Sequence, residues 1–320
     1  MAAAGSSSDQ GPKGSATAGH VPTVSVIVPC FNGGHFLDGL MVSFDAQTFR
    51  DFEVVIVDDG STEPETRRKL AALETRVRIV RQENGGPSVA RNRGVREARG
   101  DILFMLDCDD TIEPSFLAEA VAALQGAPPG TGMVFADLRL GGAEGGFVSR
   151  YFNRFDLLFT NTMANGLVMR RSVFDAAGGY DETMREGYED WDFSLRLAGA
   201  GFRGLRIPRP LYVYYIGSDD THPSRSAGVD KRMLYGKLWR AIRERHRESF
   251  RPLAMLRLWR QSRDGSGRIP LWKGIAAWLA ANILPEAVFN QLIKRLHRGP
   301  RADAPGEPYG DATGGARVAP

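Results

Sequence analysis

The chain has 320 residues, 42% of them hydrophobic, and a formal net charge of +3 at pH 7. This length and this apolar content suit one large α/β domain or two smaller domains with a substantial core. The two cysteines, Cys30 and Cys108, exclude a disulfide framework and favour a reducing, cytoplasmic location. No run of about 18 apolar residues is present, so the sequence predicts no transmembrane helix, and any membrane contact is expected to be peripheral.

The two ends of the chain differ in composition from the middle. Residues 1–21 are small and polar without an apolar centre, which predicts a disordered tail rather than a signal peptide. Residues 300–320 are rich in Gly, Pro and Ala, and they are also predicted to be disordered. We therefore expect the folded part of the chain to lie between these two segments.

Short apolar runs alternate with amphipathic segments from residue 24 onwards. Predicted strands are VSVIV, FEVVIV, VRIV and DILFML, at 24–28, 52–57, 77–80 and 101–106. Predicted helices lie near 35–46, 64–74, 87–98 and 114–125. Strands that alternate with helices are typical of βαβ units and a parallel sheet. Residues 22–128 are thus predicted to form an α/β half of the nucleotide-binding type.

Beyond about residue 130 the alternation is less regular. GMVFADLRL and LYVYYI predict further strands, and EDWDFSLRLAGAGF predicts a helix with acids in its first turn that ends at Gly199 and Gly201. Residues 217–228 are predicted to be a polar loop that could close over a ligand. Residues 129–228 are therefore expected to complete the same domain.

Residues 229–299 are predicted to form a helical extension with many cations. Residues 231–260 contain ten Lys or Arg and two Glu, a local net charge of +8. Such a run is typical of a solvated surface helix, but it could also contact anionic lipid, and both interpretations stay open for 231–298. A nucleic acid is not an expected partner, because no aromatic-studded sheet or nucleic-acid motif accompanies the cations.

Two amphipathic stretches follow, on either side of Pro285. One has an apolar face made by Leu271, Ile275, Trp278, Leu279 and Ile283, and the other a face made by Val288, Phe289, Leu292, Ile293 and Leu296. A stripe of this kind can pack on its own domain or, with basic flanks, lie in a membrane interface.

Aspartates directly follow two of the predicted parallel strands. LFMLDCDDT places Asp107, Asp109 and Asp110 after the fourth strand, and VVIVDDGS places Asp58 and Asp59 after the second. The carboxyl ends of parallel strands open onto a common crevice, so we expect the two groups to lie close together. Clustered carboxylates repel one another unless they share a cation, and oxygen ligands suit Mg²⁺ or Mn²⁺. An isolated DDGS would instead be typical of a turn and a helix cap.

The third predicted strand leads into ENGGPSVARNRG. Gly85 and Gly86 allow close approach of the backbone at a helix start, where free N–H groups and the helix dipole attract phosphate. Arg91 adds a positive charge one turn further along. Taken alone, the stretch is more typical of a plain Asn-Gly turn followed by a solvated arginine. Both interpretations stay open at this point.

Six stretches occur in the order and spacing of one known family: VSVIVPCFNGGHFL, DFEVVIVDDGST, NGGPSVARNRGV, GDILFMLDCDD, GGYDE and EDWDFSLRL. Over about residues 22–215 the chain resembles the family 2 glycosyltransferases. The resemblance implies a GT-A nucleotide-sugar-binding fold, with a central, mainly parallel sheet flanked by helices, in which 129–228 form the acceptor half. If the first and fourth strands are adjacent, as in this fold, Cys30 and Cys108 should be neighbours.

The resemblance also implies an activity. It implies that one sugar moves, with inversion, from a nucleotide-diphosphate sugar to a hydroxyl of a glycan or lipid-linked acceptor, in envelope or exopolysaccharide synthesis. The QxxRW-type motif and the membrane helices of processive polymer synthases are missing from the sequence, which favours a single transfer. The expected location is cytoplasmic, with a peripheral position on the inner face of the cytoplasmic membrane as a further expectation.

The donor-site roles are implied by the resemblance, residue by residue. Phe31 would lie near the nucleotide base, and Asp59 would hydrogen-bond the base with support from Asp58. Asp109 would ligate the divalent cation, Mn or Mg, and Asp107 or Asp110 would contact the ribose or metal-bound water. The complete donor-binding set is Pro29, Phe31, Asn32, Asp58, Asp59, Asn84, Arg91, Asp107 and Asp109, and the metal set is Asp109, Asp110 and His222.

Asp190, in YEDWD, matches the catalytic base of the family, a carboxylate that takes a proton from the acceptor hydroxyl. Glu189 and Trp191 are the implied acceptor-site residues, although first-turn acids also serve as ordinary helix-dipole partners and a core position for Trp191 stays open. The chain departs from the family pattern at Gly33-Gly34. It departs again after the last strand, where Tyr215-Ile216 and a later His222 replace the usual Tyr-Arg pair and His.

Two other functions stay open. LFMLDCDDT fits the hydrophobic-DxDxT pattern of haloacid-dehalogenase-like phosphatases, with Asp107 as nucleophile and Asp109 as acid. That motif normally opens the first strand of its domain, whereas about three strand-helix units precede it here. The second alternative is a catalytically silent protein that binds a nucleotide-sugar, and the retained Asp109 and Asp190 argue against it.

Overall fold

The computed structural model describes residues 20–141, 146–163, 166–185, 187–215, 231–262, 267–284 and 288, with side chains in α7 from residue 238 onwards. The predicted loop 217–228 with its His222 lies outside the described residues, as does nearly all of the second amphipathic stretch. Both predicted tails, apart from residues 20 and 21, also lie outside them. The predicted boundaries at 228 and 299 therefore stay predictions.

Four parallel strands form the first half of the sheet, as the apolar runs predicted. They are β1 (Val24–Cys30), β2 (Phe52–Asp59), β3 (Arg78–Gln82) and β4 (Ile102–Met105). β1 is central, with Val28 opposite Ile56 of β2 and Val24 opposite Ile102 of β4. This order brings the carboxyl ends of β1, β2 and β4 to one edge of the sheet.

The second half of the sheet is mixed. Its strands are β5 (Thr111–Ile112), β6 (Thr131–Gly141), β7 (Phe147–Val148), β8 (Val168–Arg170) and β9 (Arg203–Tyr215). The strand order is β3-β2-β1-β4-β8-β6-β9-β5, with β7 beside β6. β8 runs antiparallel to both β4 and β6, whereas β6 and β9 are parallel. The short apolar run of β8 marks a strand but carries no information about its direction.

Helices cover both faces of the sheet. They are α1 (Leu37–Asp45), α2 (Pro64–Leu73), α3 (Pro87–Glu97), α4 (Phe116–Gln125), α5 (Arg171–Ala176), α6 (Glu189–Gly199), α7 (Lys231–Arg245), α8 (Pro252–Gln261) and α9 (Leu271–Ile283), with a 3-10 turn at Asp156–Leu158. Pro64 and Pro87 occupy the first turns of α2 and α3, where the missing N–H costs no hydrogen bond. Sequence and structure therefore agree on these two helix starts.

The core has two layers because successive side chains of each strand point to opposite faces. One face packs Val26 and Phe104 against Leu40 of α1 and Phe116 of α4. The other packs Ile27 against α3, and this contact is close. A Cβ added at Gly94 of α3 would lie 2.4 Å from Cγ2 of Ile27, so only glycine allows α3 to approach β1 this closely.

The C-terminal helices pack on the domain that precedes them. Trp239 of α7 is 1% exposed, and its Nε1 donates to the carbonyl of Leu158 at 3.0 Å. Its ring stacks on Phe159 and meets Phe250 edge-on. Just beyond α7, His246 lies 2.9 Å from Asp192 of α6. Part of the basic segment therefore packs against the domain beside α6.

α9 buries one side and exposes the other. Gly274, Ala277 and Ala281 face the domain, whereas Trp272 and Ile283 are 64% and 73% exposed. Among the described residues, no helix combines the length and the apolar character that crossing a bilayer requires.

We predict that Trp239→Ala lowers the free energy of unfolding by about 3–5 kcal/mol, because it removes a fully buried aromatic side chain and leaves a cavity. Chemical denaturation followed by fluorescence measures this change. The matched control is Trp272→Ala on α9, whose exposed ring predicts a change within about 0.5 kcal/mol. Equal effects of the two substitutions would show that α7 does not pack on the domain as described.

Candidate active site

The candidate site lies where β1, β2 and β4 end. Ile27 of β1 is level with Met105 of β4, and the N–H of Leu106 donates to the carbonyl of Ile27 at 3.0 Å. Cys30 and Cys108 follow Ile27 and Met105 by three residues each, and their thiols are hydrogen-bonded to each other. This bond lowers the pKa of Cys30. Both thiols are free, as the sequence predicted.

Three carboxylates follow β4 and form a tight cluster. Each of Asp107, Asp109 and Asp110 offers an oxygen within 4.8 Å of the others. Asp110 is buried and accepts hydrogen bonds from the hydroxyl of Tyr212 at 2.5 Å and the N–H of Tyr215 at 3.1 Å. Burial raises the pKa of Asp110 well above its ordinary value, and the charge of Asp109 adds to this. Asp110 therefore ties the cluster to β9.

The chemistry of this donor set fits a hard divalent cation, because carboxylate oxygens are the ligands that Mg²⁺ and Mn²⁺ prefer. Asp109 is half-buried whereas Asp110 is buried, so Asp109 is the more accessible of the two predicted aspartate ligands. Asp109 is accordingly the leading candidate for a ligand. His222, the other predicted ligand, lies outside the described residues.

Arg91 of α3 takes a different position from the one expected of a phosphate-binding residue. It is 4% exposed, and its Nη2 donates to Asp107 at 2.6 Å while its Nη1 donates to Glu189 at 2.7 Å. Its guanidinium carbon lies 5.2 Å from the centre of the Tyr180 ring. Arg91 is thus a buried cation between two acids, because each of those acids needs compensation inside the protein.

Asp58 and Asp59 organise the loops at the end of β2. Asp59 accepts from the N–H groups of Gly85 and Gly86, each at 2.8 Å, and from Nε2 of Gln82 at 2.7 Å. Asp58 accepts from the N–H of Ser61 at 2.9 Å. The sequence reasoning missed this loop-holding role of Asp59. Of the two interpretations left open for Gly85 and Gly86, the structure shows N–H groups that donate to Asp59.

The loop after β1 joins this arrangement. Asn32 has a left-handed backbone (φ 52°), and its Oδ1 accepts from the N–H of Thr62 at 2.8 Å. Nδ2 of Asn84 donates to the carbonyl of Asp59 at 2.9 Å. Phe31, two residues beyond the half-buried Pro29, keeps an exposed ring at the end of β1. The predicted donor residues are therefore brought together at one edge of the sheet.

Asp190 lies half-buried in the first turn of α6. Its Oδ2 accepts from Nδ2 of Asn161 at 2.9 Å, and its Oδ1 accepts from the N–H of Trp191 at 2.8 Å. Burial raises the pKa of Asp190 to about 6, and the neighbouring charge of Glu189 adds to the effect. Asp190 is ionised at pH 7 yet basic enough to accept a proton, which suits a general base. No motif in the sequence marked Asn161.

Two predicted acceptor-site residues are not at the surface of the crevice. Trp191 is 0% exposed, and its Nε1 donates to the carbonyl of Leu157 at 2.7 Å, so it belongs to the core and cannot contact an acceptor. This corrects the acceptor-site prediction. The physical reason is that Trp191 points from α6 towards the 3-10 turn, where its ring fills the core. Glu189 is also buried and binds Arg91.

A second buried cation, which the sequence reasoning missed, lies near the acids of the site, in the segment after β7. Burial lowers the pKa of Arg150 to about 10, while Tyr212, Asp137 and Asp190 hold its charge. Its guanidinium lies over the ring of Phe135 at 5.1 Å. Arg150 therefore contributes positive charge opposite the acids of the site.

Comparison with known proteins is consistent with this geometry. The model of glycosyl transferase family 2 matches residues 25–174. RfbC of Myxococcus xanthus, named an O-antigen biosynthesis protein, is 32% identical over 218 residues, which are 65% of this chain and 17% of RfbC. The uncharacterized glycosyltransferase YwdF of Bacillus subtilis is 26% identical over 227 residues, covering 67% of this chain and 82% of YwdF.

The protein y4gI of Sinorhizobium fredii is 30% identical over 250 residues, which are 68% of this chain and 27% of y4gI. The chain thus spans less than a third of the length of RfbC and of y4gI.

Solved structures share the fold. TarS of S. aureus, residues 1–349 in complex with UDP-GlcNAc, superimposes with a TM-score of 0.58 at 19% identity, covering 83% of this chain and 82% of TarS. The mannosyltransferase PcManGT of Pyrobaculum calidifontis, in complex with GDP-Man and Mn²⁺, gives a TM-score of 0.52 at 20% identity, covering 87% and 86%. At these identities the likeness establishes the fold alone. The family model shows that this chain belongs to glycosyl transferase family 2, and the solved structures show its GT-A fold.

Proposed function

We propose that the chain transfers one sugar from a nucleotide-diphosphate sugar to a hydroxyl of a glycan or lipid-linked acceptor, with inversion at the anomeric carbon. The observation that carries this proposal is that the Asp107–Asp110 cluster and Asp190 are linked into one site by Arg91 and Glu189. Such a site offers a place for a donor diphosphate and, close by, a base for an acceptor. Family membership favours this function over the phosphatase alternative.

The donor side of the site is formed by Asp109 and the loops after β1 and β2. The exposed ring of Phe31 supplies a surface on which a nucleotide base can stack. A divalent cation held by Asp109 would supply positive charge for the leaving diphosphate. The complexes of TarS with UDP-GlcNAc and of PcManGT with GDP-Man and Mn²⁺ support a donor of this class. Titration with Mn²⁺ and with Mg²⁺ tests which of the two metals supports donor binding.

On the acceptor side, Asp190 takes the proton of the acceptor hydroxyl as the hydroxyl oxygen bonds to the anomeric carbon. The bond from that carbon to the diphosphate oxygen breaks on the opposite face, and the nucleoside diphosphate leaves with the bonding electron pair. One displacement of this kind inverts the anomeric configuration. Asn161 holds Asp190 in place through its 2.9 Å hydrogen bond.

The acceptor and the location are also proposals. The name of RfbC, an O-antigen biosynthesis protein, supports an envelope polysaccharide. We propose a cytoplasmic protein that contacts an anionic membrane surface through the exposed side of α9. Trp272, Leu279 and Ile283 form an apolar stripe at helical spacing, and residues 249–284 contain six Lys or Arg and one Asp. Apolar side chains next to cations are typical of helices that lie in a lipid interface.

We expect Asp109→Asn to weaken cation-dependent donor binding at least tenfold, because it removes a charged oxygen ligand at nearly constant shape. Calorimetric titration of UDP- and GDP-sugars with Mn²⁺, Mg²⁺ or EDTA measures this and identifies the base and the metal. Asp38→Asn, on the exposed side of α1, is the matched control and should bind as the wild type does. Unchanged binding by Asp109→Asn would remove Asp109 from the donor site.

Asp190→Asn should lower turnover by a factor of about 10²–10⁴ while donor affinity stays within a factor of about two, because the amide cannot accept a proton but keeps its shape. Single-turnover transfer and donor titration measure the two quantities. In the wild type, kcat/KM should fall below pH 6, because the base becomes protonated as pH falls through a pKa of about 6. Full turnover by Asp190→Asn would mean that another group is the base.

The lipid proposal predicts that the full chain sediments with vesicles of anionic phospholipid and much less with neutral vesicles. The double substitution Trp272→Ser and Leu279→Ser should reduce this binding several-fold, since both side chains leave the stripe. Val42→Ser, which changes a residue of α1 that is 67% exposed, is the matched control. If the substitutions alter the oligomeric mass in light scattering instead, the stripe contacts a second copy and the lipid proposal fails.

A further inference from the structure

We propose that Arg91 and Glu189 are positioning residues that link the donor side of the site to Asp190 and control the pH at which Asp190 can accept a proton. This inference rests on the proposed function, in which Asp190 is the base. Arg91 and Glu189 lie 98 positions apart in the sequence and are hydrogen-bonded to each other. Neither side chain is placed at the reacting atoms.

Arg91 spans three elements of the fold, because it belongs to α3, donates to Asp107 after β4, and donates to Glu189 at the start of α6. The side chains of Arg91 and Glu189 are 5% and 10% exposed, so water screens this contact weakly. Glu189 directly precedes Asp190. A change of charge at the Arg91 guanidinium can therefore affect Asp190 through Glu189, its neighbour in α6.

One cation is shared by two carboxylates, so Arg91, Asp107 and Glu189 carry a net charge of −1 before Asp190 is counted. Negative charge nearby favours the protonated form of a carboxyl group, and positive charge favours the ionised form. Burial raises the pKa of Asp190, and the anions of Glu189 and Asp107 add to this, while the cation of Arg91 opposes it.

The other groups that face Asp190 do not change charge near neutral pH. They are the cation Arg150, the phenols of Tyr180, Tyr188 and Tyr214, and the amide of Asn161. Burial raises the pKa of each of these phenols, and that of Tyr188 reaches about 12. Removing the charge of Glu189 and removing that of Arg91 should therefore shift the pKa of Asp190 in opposite directions.

The test compares the pH dependence of Asp190 in Glu189→Gln and Arg91→Gln. Loss of the Glu189 charge should move the acid limb of kcat/KM down by about one pH unit, and loss of the Arg91 charge should move it up by about as much. The matched controls are Glu182→Gln, an exposed acid nearby, and Arg96→Gln, an exposed cation on the same helix, and both should keep the wild-type limb.

A merely structural role predicts a different result. If Arg91 and Glu189 only held α6 in place, both substitutions would lower turnover with the same limb, or would move the limb in the same direction. Either outcome would overturn the proposal. Because Arg91→Gln removes the cation from the buried Glu189 and the half-buried Asp107 and can impair folding, Arg91→Lys is the second variant. It keeps the charge and should retain a limb close to that of the wild type, even where turnover falls.

A direct titration separates this inference from the proposed function. ¹³C NMR of protein labelled at aspartate carboxyls follows Asp190 without substrate, with Asp190→Asn providing the assignment. Opposite shifts of the Asp190 titration midpoint in Glu189→Gln and Arg91→Gln support control of Asp190 by this pair. They do so even if Asp190→Asn retains full turnover and Asp190 is not the base. If the Asp190 titration midpoint is unchanged in both variants, Arg91 and Glu189 do not control its protonation, even if turnover depends on Asp190.

Discussion

Compensation of negative charge at the carboxyl edge of the sheet is the constraint on which the rest of the site depends. Asp59 is satisfied by the N–H groups of Gly85 and Gly86, Asp110 by β9, and Asp107 and Glu189 by Arg91. An ionised carboxylate in a protein interior is costly unless it is paired or hydrogen-bonded. Each of these acids therefore fixes a loop or a helix, and the site is organised by the same contacts that stabilise it.

Burial raises the pKa of Asp190, and its ionisation at neutral pH has a cost in folding stability. A carboxyl whose folded-state pKa lies above its unfolded value contributes stability below the unfolded pKa, and that contribution is lost as pH rises through the folded pKa, here about 6. Each pKa unit corresponds to about 1.4 kcal/mol. At neutral pH the ionised Asp190 thus opposes folding. The same property makes it basic enough to take a proton from a hydroxyl.

Backbone strain is found at the same place. Among the described residues outside glycine, Asn32 and Tyr188 have positive φ, 52° and 65°. Asn32 follows β1, and Tyr188 immediately precedes α6. Such conformations persist where surrounding contacts hold them, and they often mark functional sites. Here one lies next to Phe31, and the other caps the helix that carries Asp190.

Local patterns predicted the elements of the first half and the edge at which the acids meet, because strand runs, first-turn prolines and strand-end aspartates are all readable over a few residues. Contacts between distant segments could not be read in this way. Nothing near Arg91 indicates that Glu189 is its partner. The resemblance implied a place near the acceptor for Trp191, yet successive residues of a helix point about 100° apart, and this one points into the core.

The C-terminal helices show why a single sequence pattern can support two roles. The cations of 231–260 suggested either a solvated helix or a membrane contact, and the apolar stripe of α9 suggested either packing or lipid. The structure assigns different faces to different tasks. Trp239 anchors α7 in the core, and His246 and Arg196 hydrogen-bond to Asp192, which lowers the pKa of that acid although burial acts to raise it.

Asp192 lies two residues beyond Asp190 on the same helix. The C-terminal extension therefore helps to fix the helix that carries the base. Its outer face, with Trp272 and Ile283, is not used for that purpose and is available to another surface. If that face contacts lipid as proposed, the extension that fixes α6 would also hold the protein at the surface where a lipid-linked acceptor lies.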